Sequence, residues 1–383
     1  MHRRAFLRTT SAAALLPAVA ACARTFRLGD DQMLAPAPLA DVGRDPDGMW
    51  AAAIGYARWT PSPHNTQPWR MRVSSPREAT VYYDPRRLLP TTDPTGAFTI
   101  AGLATFVEYL RVAAAARGFE VHDETPPAPL DFFASAPVPF AHLSVARTTA
   151  TPVTDPRLIL HRMTSRLPYD GRVVDDDSLD ALRCIAAEHG HELHWSHDEA
   201  MVRWILELNR FTLFTDLEDE PTRDELRRWM RYTDDEAANS PDGLWSHCMR
   251  FPGWVMRGFF EDHARWTHGW RARMSRKLLM HGLRGTRTVA WWTGPFETPR
   301  DWAVAGRMLG QSWLELTRRG LQLHPFGSII TNAQAHARWI ARAGREAPGR
   351  SHWLLVRVGR SDLPPRSHRR GLPHIMLTDE EVA

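Results

Sequence analysis

Two hydrophobic periods organise the 383-residue chain. From Phe98 to Arg117 apolar residues recur at helical spacing (Ile100, Leu103, Phe106, Val107, Leu110, Val112), and Gly118 stands where a left-handed stop is needed. The Ala-rich stretch Met49–Trp59 predicts a shorter helix that ends before Thr60-Pro61-Ser62-Pro63. Trp69–Val73 and Thr80–Tyr83 read as a strand pair around a Ser-Ser-Pro turn. The helix ending then recurs. Arg117-Gly118-Phe119-Glu120-Val121-His122 matches Arg319-Gly320-Leu321-Gln322-Leu323-His324, after a second amphipathic helix over Trp302–Arg319. His189-Gly190-His191-Glu192-Leu193-His194 is a looser third copy, and apolar strands Phe140–Val145 and Trp353–Val358 follow the first two. This pattern predicts an α+β chain of two related halves, 45–150 and 151–383, packed as a pseudo-dimer in a single monomer. A helical insertion is expected at about 198–300, carrying half of the sixteen tryptophans, Trp229, Trp245, Trp254, Trp266 and Trp270 among them. Those tryptophans read either as the core of a helical subdomain or as a lid over an aromatic ligand.

Composition is ordinary for a globular protein, at 43% hydrophobic and 24% charged residues, which excludes collagen-like, coiled-coil and wholly disordered chains. Lys277 is the single lysine among 48 basic residues, so arginine makes nearly every cationic contact. No Gly-Lys-Ser/Thr phosphate loop exists, and Schiff-base chemistry has one candidate. The start reads as a targeting segment. Arg3-Arg4-Ala5-Phe6-Leu7-Arg8 and the weakly apolar run Ala12–Ala21 resemble a twin-arginine signal over residues 1–22, and the run is too short to span a membrane. Val19-Ala20-Ala21-Cys22 also reads as a lipobox that would lipidate Cys22. The alternative is cleavage at Ala18-Val19-Ala20 with Cys22 incidental. Residues 23–44 follow as a tether. The expected location is periplasmic or the outer face of the cell membrane, with Cys22 the only tie to lipid. Losing Arg3, Arg4 and Arg8 lowers the formal net charge from +4 to +1, so no nucleic-acid partner is expected.

Zincin, α/β-hydrolase, thioredoxin-like and Rossmann motifs are all missing from the sequence. His189, His191, His194 and His197 span a helix end and a strand and read as a solvated group, so no metal is expected. The informative segment is Thr60-Pro61-Ser62-Pro63-His64-Asn65-Thr66-Gln67-Pro68-Trp69-Arg70. Prolines fix a loop crowded with Ser62, His64, Asn65 and Gln67. It reads either as a platform aiming amide and hydroxyl groups at one planar polar ligand or as a rigid turn satisfying its own backbone.

Pro-Ser-x-x-Asn-x-Gln-Pro-Trp ahead of a strand resembles the flavin loop of the nitroreductase family, FMN-dependent α+β reductases that work as intertwined homodimers. Arg162-Met163-Thr164-Ser165-Arg166 resembles that family's Arg-x-Ser-x-Arg phosphate signature. The C-terminal strand leading to Arg369-Arg370 is similar to its closing basic pair, and Pro325-Phe326-Gly327-Ser328 falls where the family sets backbone near flavin N5. The order differs from a standard member, because the loop lies in the first half and the arginines in the second. That arrangement resembles the fused tandem, Acg-like branch, in which one chain imitates the dimer. The resemblance implies a flavoprotein, exported if the N-terminal signal acts, that binds FMN through Ser62, His64, Asn65, Gln67, Arg162, Thr164, Arg166, Pro325, Gly327, Ser328, Arg369 and Arg370. It implies NAD(P)H as donor and a nitroaromatic or quinone acceptor in a ping-pong hydride transfer with no catalytic side chain, or else FMN storage without turnover. The family's lysine near the flavin pyrimidine has no counterpart, since Lys277 lies in the insertion.

Overall fold

The computed structural model describes residues 44–381 except 46, 125–127 and 345–349. The twin-arginine pair, Cys22 and nearly all of the tether therefore lie outside the described residues.

Two antiparallel four-stranded sheets carry the chain. The first has strands β1 (Trp69–Ser75), β2 (Glu78–Tyr83), β3 (Phe119–Asp123) and β4 (Val138–Arg147), in the order β1-β2-β4-β3. Two short parallel strands, β6 (Met230–Arg231) and β7 (Leu244–Trp245), pair within the second half. The second large sheet has β5 (Glu192–Ser196), β8 (Thr288–Gly294), β9 (Gln322–Pro325) and β10 (Ser351–Gly359), in the order β5-β8-β10-β9. The two orders correspond strand for strand.

Helices follow the same correspondence. In the first half α1 (Met49–Ala57) leads through the 60–68 loop into β1, and α2 (Ala97–Ala115) joins β2 to β3. In the second half α3 (Asp176–Glu188) leads into β5, while α4 (Glu199–Asp216), α5 (Glu220–Trp229), α6 (Gly253–Glu261) and α7 (Gly269–Gly282) precede β8. Then α8 (Pro299–Arg318) joins β8 to β9, and α9 (Gly327–Thr331) and α10 (Ala333–Ala343) precede β10. Gly118, Gly190 and Gly320 have φ of 77°, 75° and 68°, and each turns a helix end into an edge strand. A Cβ on Gly190 or Gly320 would meet nothing within 4 Å, so backbone conformation, not space, requires glycine there.

The central helices cross at close range. Thr298 and Asp301 form a capping box with Pro299 in the first turn of α8, fixing where that helix starts. The Asp93 carboxylate accepts the Phe98 and Thr99 amides and does the same for α2. A Cβ on Gly306 would come within 2.1 Å of the Ala101 carbonyl, so glycine sets the approach. At that crossing the Thr105 hydroxyl reaches the carbonyls of both Ala101 and Gly306, at 2.8 and 2.7 Å. Helix α2 is long and apolar enough to cross a membrane, but it is buried in this core.

The helical insertion is smaller than the sequence pattern suggests. Thr288–Gly294, placed inside 198–300 by that reading, is β8, an inner strand of the second sheet. Helix α4 also belongs to the core, where Val202, Ile205 and Leu206 pack with Val289, Trp339 and Leu355. The added chain interrupts the β5–β8 hairpin, whereas β1 and β2 are joined by a tight turn. Beyond α4 it has a small core of its own, built from Met230, Tyr232, Val255, Met256, Phe259, Phe260 and Trp266. Trp229 and Trp245 are buried as well, so these tryptophans are mostly core.

Candidate functional site

The loop before β1 is strained. His64, Asn65 and Gln67 have φ of 47°, 55° and 50°, and Arg250 is the only other non-glycine with positive φ among the described residues. Such residues cost on the order of 1–3 kcal/mol each and persist only where their surroundings over-determine them. Here the bonds are explicit. The Ser62 hydroxyl accepts the Gln67 amide at 3.0 Å, and Arg87 Nη1 donates to the Thr66 carbonyl at 2.7 Å. Asn65 Nδ2 donates to the carbonyls of Gly243 and His368 at 3.0 and 3.3 Å, while the Gly243 amide donates back to the Asn65 carbonyl. Gln67 Nε2 donates to the Pro241 carbonyl at 2.9 Å, and Gln67 Oε1 accepts the Arg370 amide at 2.9 Å.

The structure thus spends the Gln67 side chain on backbone rather than on a ligand, which corrects the reading that aimed it at a planar ring. Gln67 braces the 241–243 turn against the C-terminal segment. Asn65 is half spent: its Oδ1 is buried without a partner, as are His64 Nδ1 and Thr66 Oγ1. These three atoms point to a binding function for a loop that otherwise serves itself.

Beside the loop lies a group of arginines, three of which have no carboxylate partner among the described residues. Arg162, 3% exposed, donates once, to the Trp59 carbonyl at 3.1 Å, and its Cζ lies 4.5 Å from the Trp313 ring centre. Its Nε and Nη1 have no partner. Arg369 donates to the His368 carbonyl and keeps an unpartnered buried Nε. Half-buried Arg166 shares the field of His64, His324 and Cys248. Among the described residues no carboxylate pairs with Arg162, Arg166 or Arg369. Burial depresses all three guanidinium pKa values, and for Arg369 the neighbouring Arg162, Arg366 and Arg58 depress it further. Arg58 and Arg366 both lie over the Trp59 ring, at 5.4 and 4.7 Å. Arginine keeps its proton even so, and buried charge needs a partner. The arrangement can hold an anion, with phosphate geometry suited to the unpartnered donors.

Further contacts fix this cluster. Thr164 makes a parallel bridge with Leu323, so the Arg-x-Thr-x-Arg segment lies along the β9 edge. Arg357, fully buried on β10, donates to the carbonyls of Ser165 and Leu167, both at 3.0 Å, and to the Gly282 carbonyl at 2.9 Å. Its Cζ stands 4.2 Å from the Tyr169 ring centre, and burial lowers its pKa to about 10. Sequence reasoning missed Arg357; its signal is a lone arginine inside the apolar run Trp353–Val358.

Of the terminal basic pair only Arg369 joins the cluster. Arg370 donates through Nη2 to the His374 carbonyl, and its charged neighbours are Arg87, Arg70, Asp84 and Asp242. Burial lowers its pKa to about 10. The pair lies beyond the last strand, in the loop before Leu372–Ile375, and its two side chains meet different neighbours. Pro325 ends β9, and Gly327 and Ser328 open α9. The Ser328 hydroxyl bonds to Asp216 of α4, and no hydrogen bond joins residues 325–328 to the 61–67 loop among the described residues.

Three further positions were not anticipated. Glu225 of α5 accepts the backbone amides of Thr91 and Thr92 at 2.8 and 2.9 Å, fastening the added chain to the first half beside His64. Cys248 lies against the Pro365 carbonyl in the field of Arg166 and Arg369, and burial raises its pKa. The Trp245 ring lies tilted against that of His368, 5.2 Å between centres. The added chain therefore forms one wall of the site.

His64 supplies a pH prediction. Burial first, opposed by Glu225 and reinforced by Arg166, lowers its pKa to about 4, below the ordinary 6.5. Between pH 6.5 and about 4 the unfolded chain binds a proton that the folded one refuses, so stability falls as pH falls through that window. His64→Gln is expected to lose this dependence, flattening the slope by up to ~1.4 kcal/mol per pH unit in urea unfolding. Identical slopes for the two proteins would contradict it.

With this geometry in place, known proteins can be compared. No family model matches the chain. An uncharacterised Mycobacterium tuberculosis protein is 32% identical over 125 residues, 32% of this chain and 36% of the relative. Acg of the same organism, provisionally named an NAD(P)H nitroreductase, is 31% identical over 118 residues, 31% of this chain and 35% of its own. PigM of Serratia sp., with the same provisional name, is 24% identical over 300 residues, 74% of this chain and 81% of that protein. The sequence likeness is to nitroreductases. The matches to the mycobacterial proteins span about a third of their length. Among solved structures, the FMN- and NADPH-dependent nitroreductase NfnB of Sphingopyxis strain HMH is 17% identical and covers 58% of this chain and 97% of its own, with a TM-score of 0.33.

Proposed function

We propose that this chain is an exported, FMN-binding member of the nitroreductase family in which two fused halves form a pseudo-dimer with a single complete flavin site. The observation that carries the reading is the group Arg162, Arg166 and Arg369, which has no carboxylate partner among the described residues and in which Arg162 and Arg369 keep unpartnered buried N–H donors. A phosphate monoester supplies the missing charge. The Thr164 hydroxyl adds a donor beside it, and Arg357 holds this segment in place. At the ring end, Asn65 Oδ1 and His64 Nδ1 are the groups left to meet a flavin edge, with Ser62 and Gln67 shaping the loop around them. Arg370 anchors the terminal segment to Gln67, and the turn at Pro325, Gly327 and Ser328 lies beyond the β9 edge.

Bound FMN supplies hydride chemistry at N5, so the protein's part is binding, orientation and exclusion of water. NAD(P)H is the donor and a nitroaromatic or quinone the acceptor. The second half carries the helix–glycine–strand turn at Gly190 where the first half carries the Asn65 loop, which supports one site per chain.

One observation favours a second reading, FMN storage. The 225–248 segment is bonded to the loop and to the threonine turn by backbone and carboxylate contacts, a fixed cover rather than a swinging lid. Purified protein should be yellow. Oxidation of NADPH in the presence of a nitroaromatic or quinone supports the reductase; colour that resists NADPH but bleaches with dithionite supports storage. Colourless protein that stays colourless after FMN addition would defeat both.

Export rests on Arg3-Arg4, and lipid attachment on Cys22. Arg3→Lys with Arg4→Lys is expected to strand the precursor in the cytoplasm, and unchanged secretion would refute the signal. Cys22→Ser is expected to abolish lipid attachment, read as loss of labelled palmitate from the exported protein, and a wild type that takes up no label would rule the lipobox out.

A further inference from the structure

Away from the cofactor site, the added chain presents an unusual face. Residues 263–296 contain seven arginine or lysine residues and not one aspartate or glutamate. Helix α7 lies within this stretch and buries Ala272 and Ser275. Trp270, Arg273 and Lys277 share a helical face at i, i+3 and i+7, and all three are exposed. Among the described residues neither Arg273 nor Lys277 has a carboxylate within ion-pair distance. Trp270 is 54% exposed and Trp254, on α6, 56%, the two most exposed tryptophans in the described structure. They belong to one patch: Trp254 packs edge-on to Trp266 at 5.6 Å, and Arg271 lies over both Trp266 and Trp270, at 5.8 and 4.7 Å. The acids just before this stretch in sequence are already engaged, Glu261 with Arg257 and Asp262 with Arg265.

We infer that the face formed by Trp254, Trp270, Arg271, Arg273 and Lys277 docks on an anionic phospholipid surface. Tryptophan prefers the boundary between headgroups and acyl chains, where its ring meets apolar matter and its N–H stays wet. Long cationic side chains around it reach phosphate headgroups while their stems lie on the apolar layer. The patch offers two exposed aromatic rings and a cationic surround. That form suits a fluid, negatively charged sheet better than a shaped acidic protein.

The test uses the full-length chain with Cys22→Ser, so that no acyl chain contributes and the N-terminal segment is common to every sample. Co-sedimentation is measured with phosphatidylcholine vesicles and with vesicles that also contain phosphatidylglycerol. Binding is expected only to the anionic vesicles and should weaken as salt rises. Arg273→Ala with Lys277→Ala should reduce it on the order of 30-fold, since each surface cation contributes comparably near an anionic leaflet. Trp254→Ala with Trp270→Ala should reduce it as well, while both pairs of variants keep the parent's circular dichroism. Equal binding to both vesicle types, or parent-like binding by both variants, overturns the assignment. So does capture on immobilised polyglutamate without vesicle binding, which would make the face a docking site for an acidic protein.

Discussion

Arg162→Ala is expected to weaken FMN binding about 10- to 150-fold, the equivalent of a hydrogen bond to a charged group at about 1.5–3 kcal/mol. Arg162 has the lowest exposure of the cluster's arginines and keeps two unpartnered donors. Its charge opposes folding until an anion arrives, because one carbonyl and the Trp313 ring only partly replace the hydration that a buried cation loses. Substitution should therefore have opposite consequences for the two forms. The FMN-bound protein loses stability in proportion to the lost affinity, while the flavin-free protein loses far less, or gains. Melting curves with and without FMN, beside a calorimetric titration, measure both. Equal losses in the two forms would mean that Arg162 is structural and that the phosphate binds elsewhere.

Arg357→Met is expected to destabilise the fold by about 3–5 kcal/mol, because it strands the carbonyls of Ser165, Leu167 and Gly282 in a dry interior. Methionine keeps much of the volume, so the cavity contribution is modest and the loss reports the bonds. The same change frees the segment that presents Arg162, Thr164 and Arg166. FMN affinity should then fall although Arg357 does not itself reach the cluster's unpartnered donors. Urea unfolding gives the first effect as a lower midpoint at unchanged slope, and a loss below 1 kcal/mol would show those carbonyls finding other donors.

The fold was legible wherever a single residue had one physical reading. Glycine after a helix, followed by alternating apolar residues, specified the edge strands at Phe119, Glu192 and Gln322. The tight β1–β2 turn was equally clear because its strands are neighbours in sequence. Strand β8 was not, since its hairpin partner β5 lies across the added chain and Trp291-Trp292 merged with the tryptophans of that segment. At the site the residue types were legible and their directions were not. Gln67 meets Pro241 and Arg370, 174 and 303 residues away, and no local pattern encodes such pairings. The assembly of Arg58, Trp59, Arg162, Arg366 and Arg369 has the same origin: ordinary arginines in the sequence become a charged group only after segments 58–59, 162 and 366–369 meet. The adjacent Arg369 and Arg370 looked equivalent until the folded chain gave them different neighbours, Arg162 and Arg366 for the first and Asp84 and Asp242 for the second.

The central claim, one flavin phosphate held by an otherwise uncompensated arginine group, is tested most directly by titrating flavin-free protein with FMN. The account predicts saturation at one FMN per chain. Saturation at two per chain, or no binding at all, would contradict it.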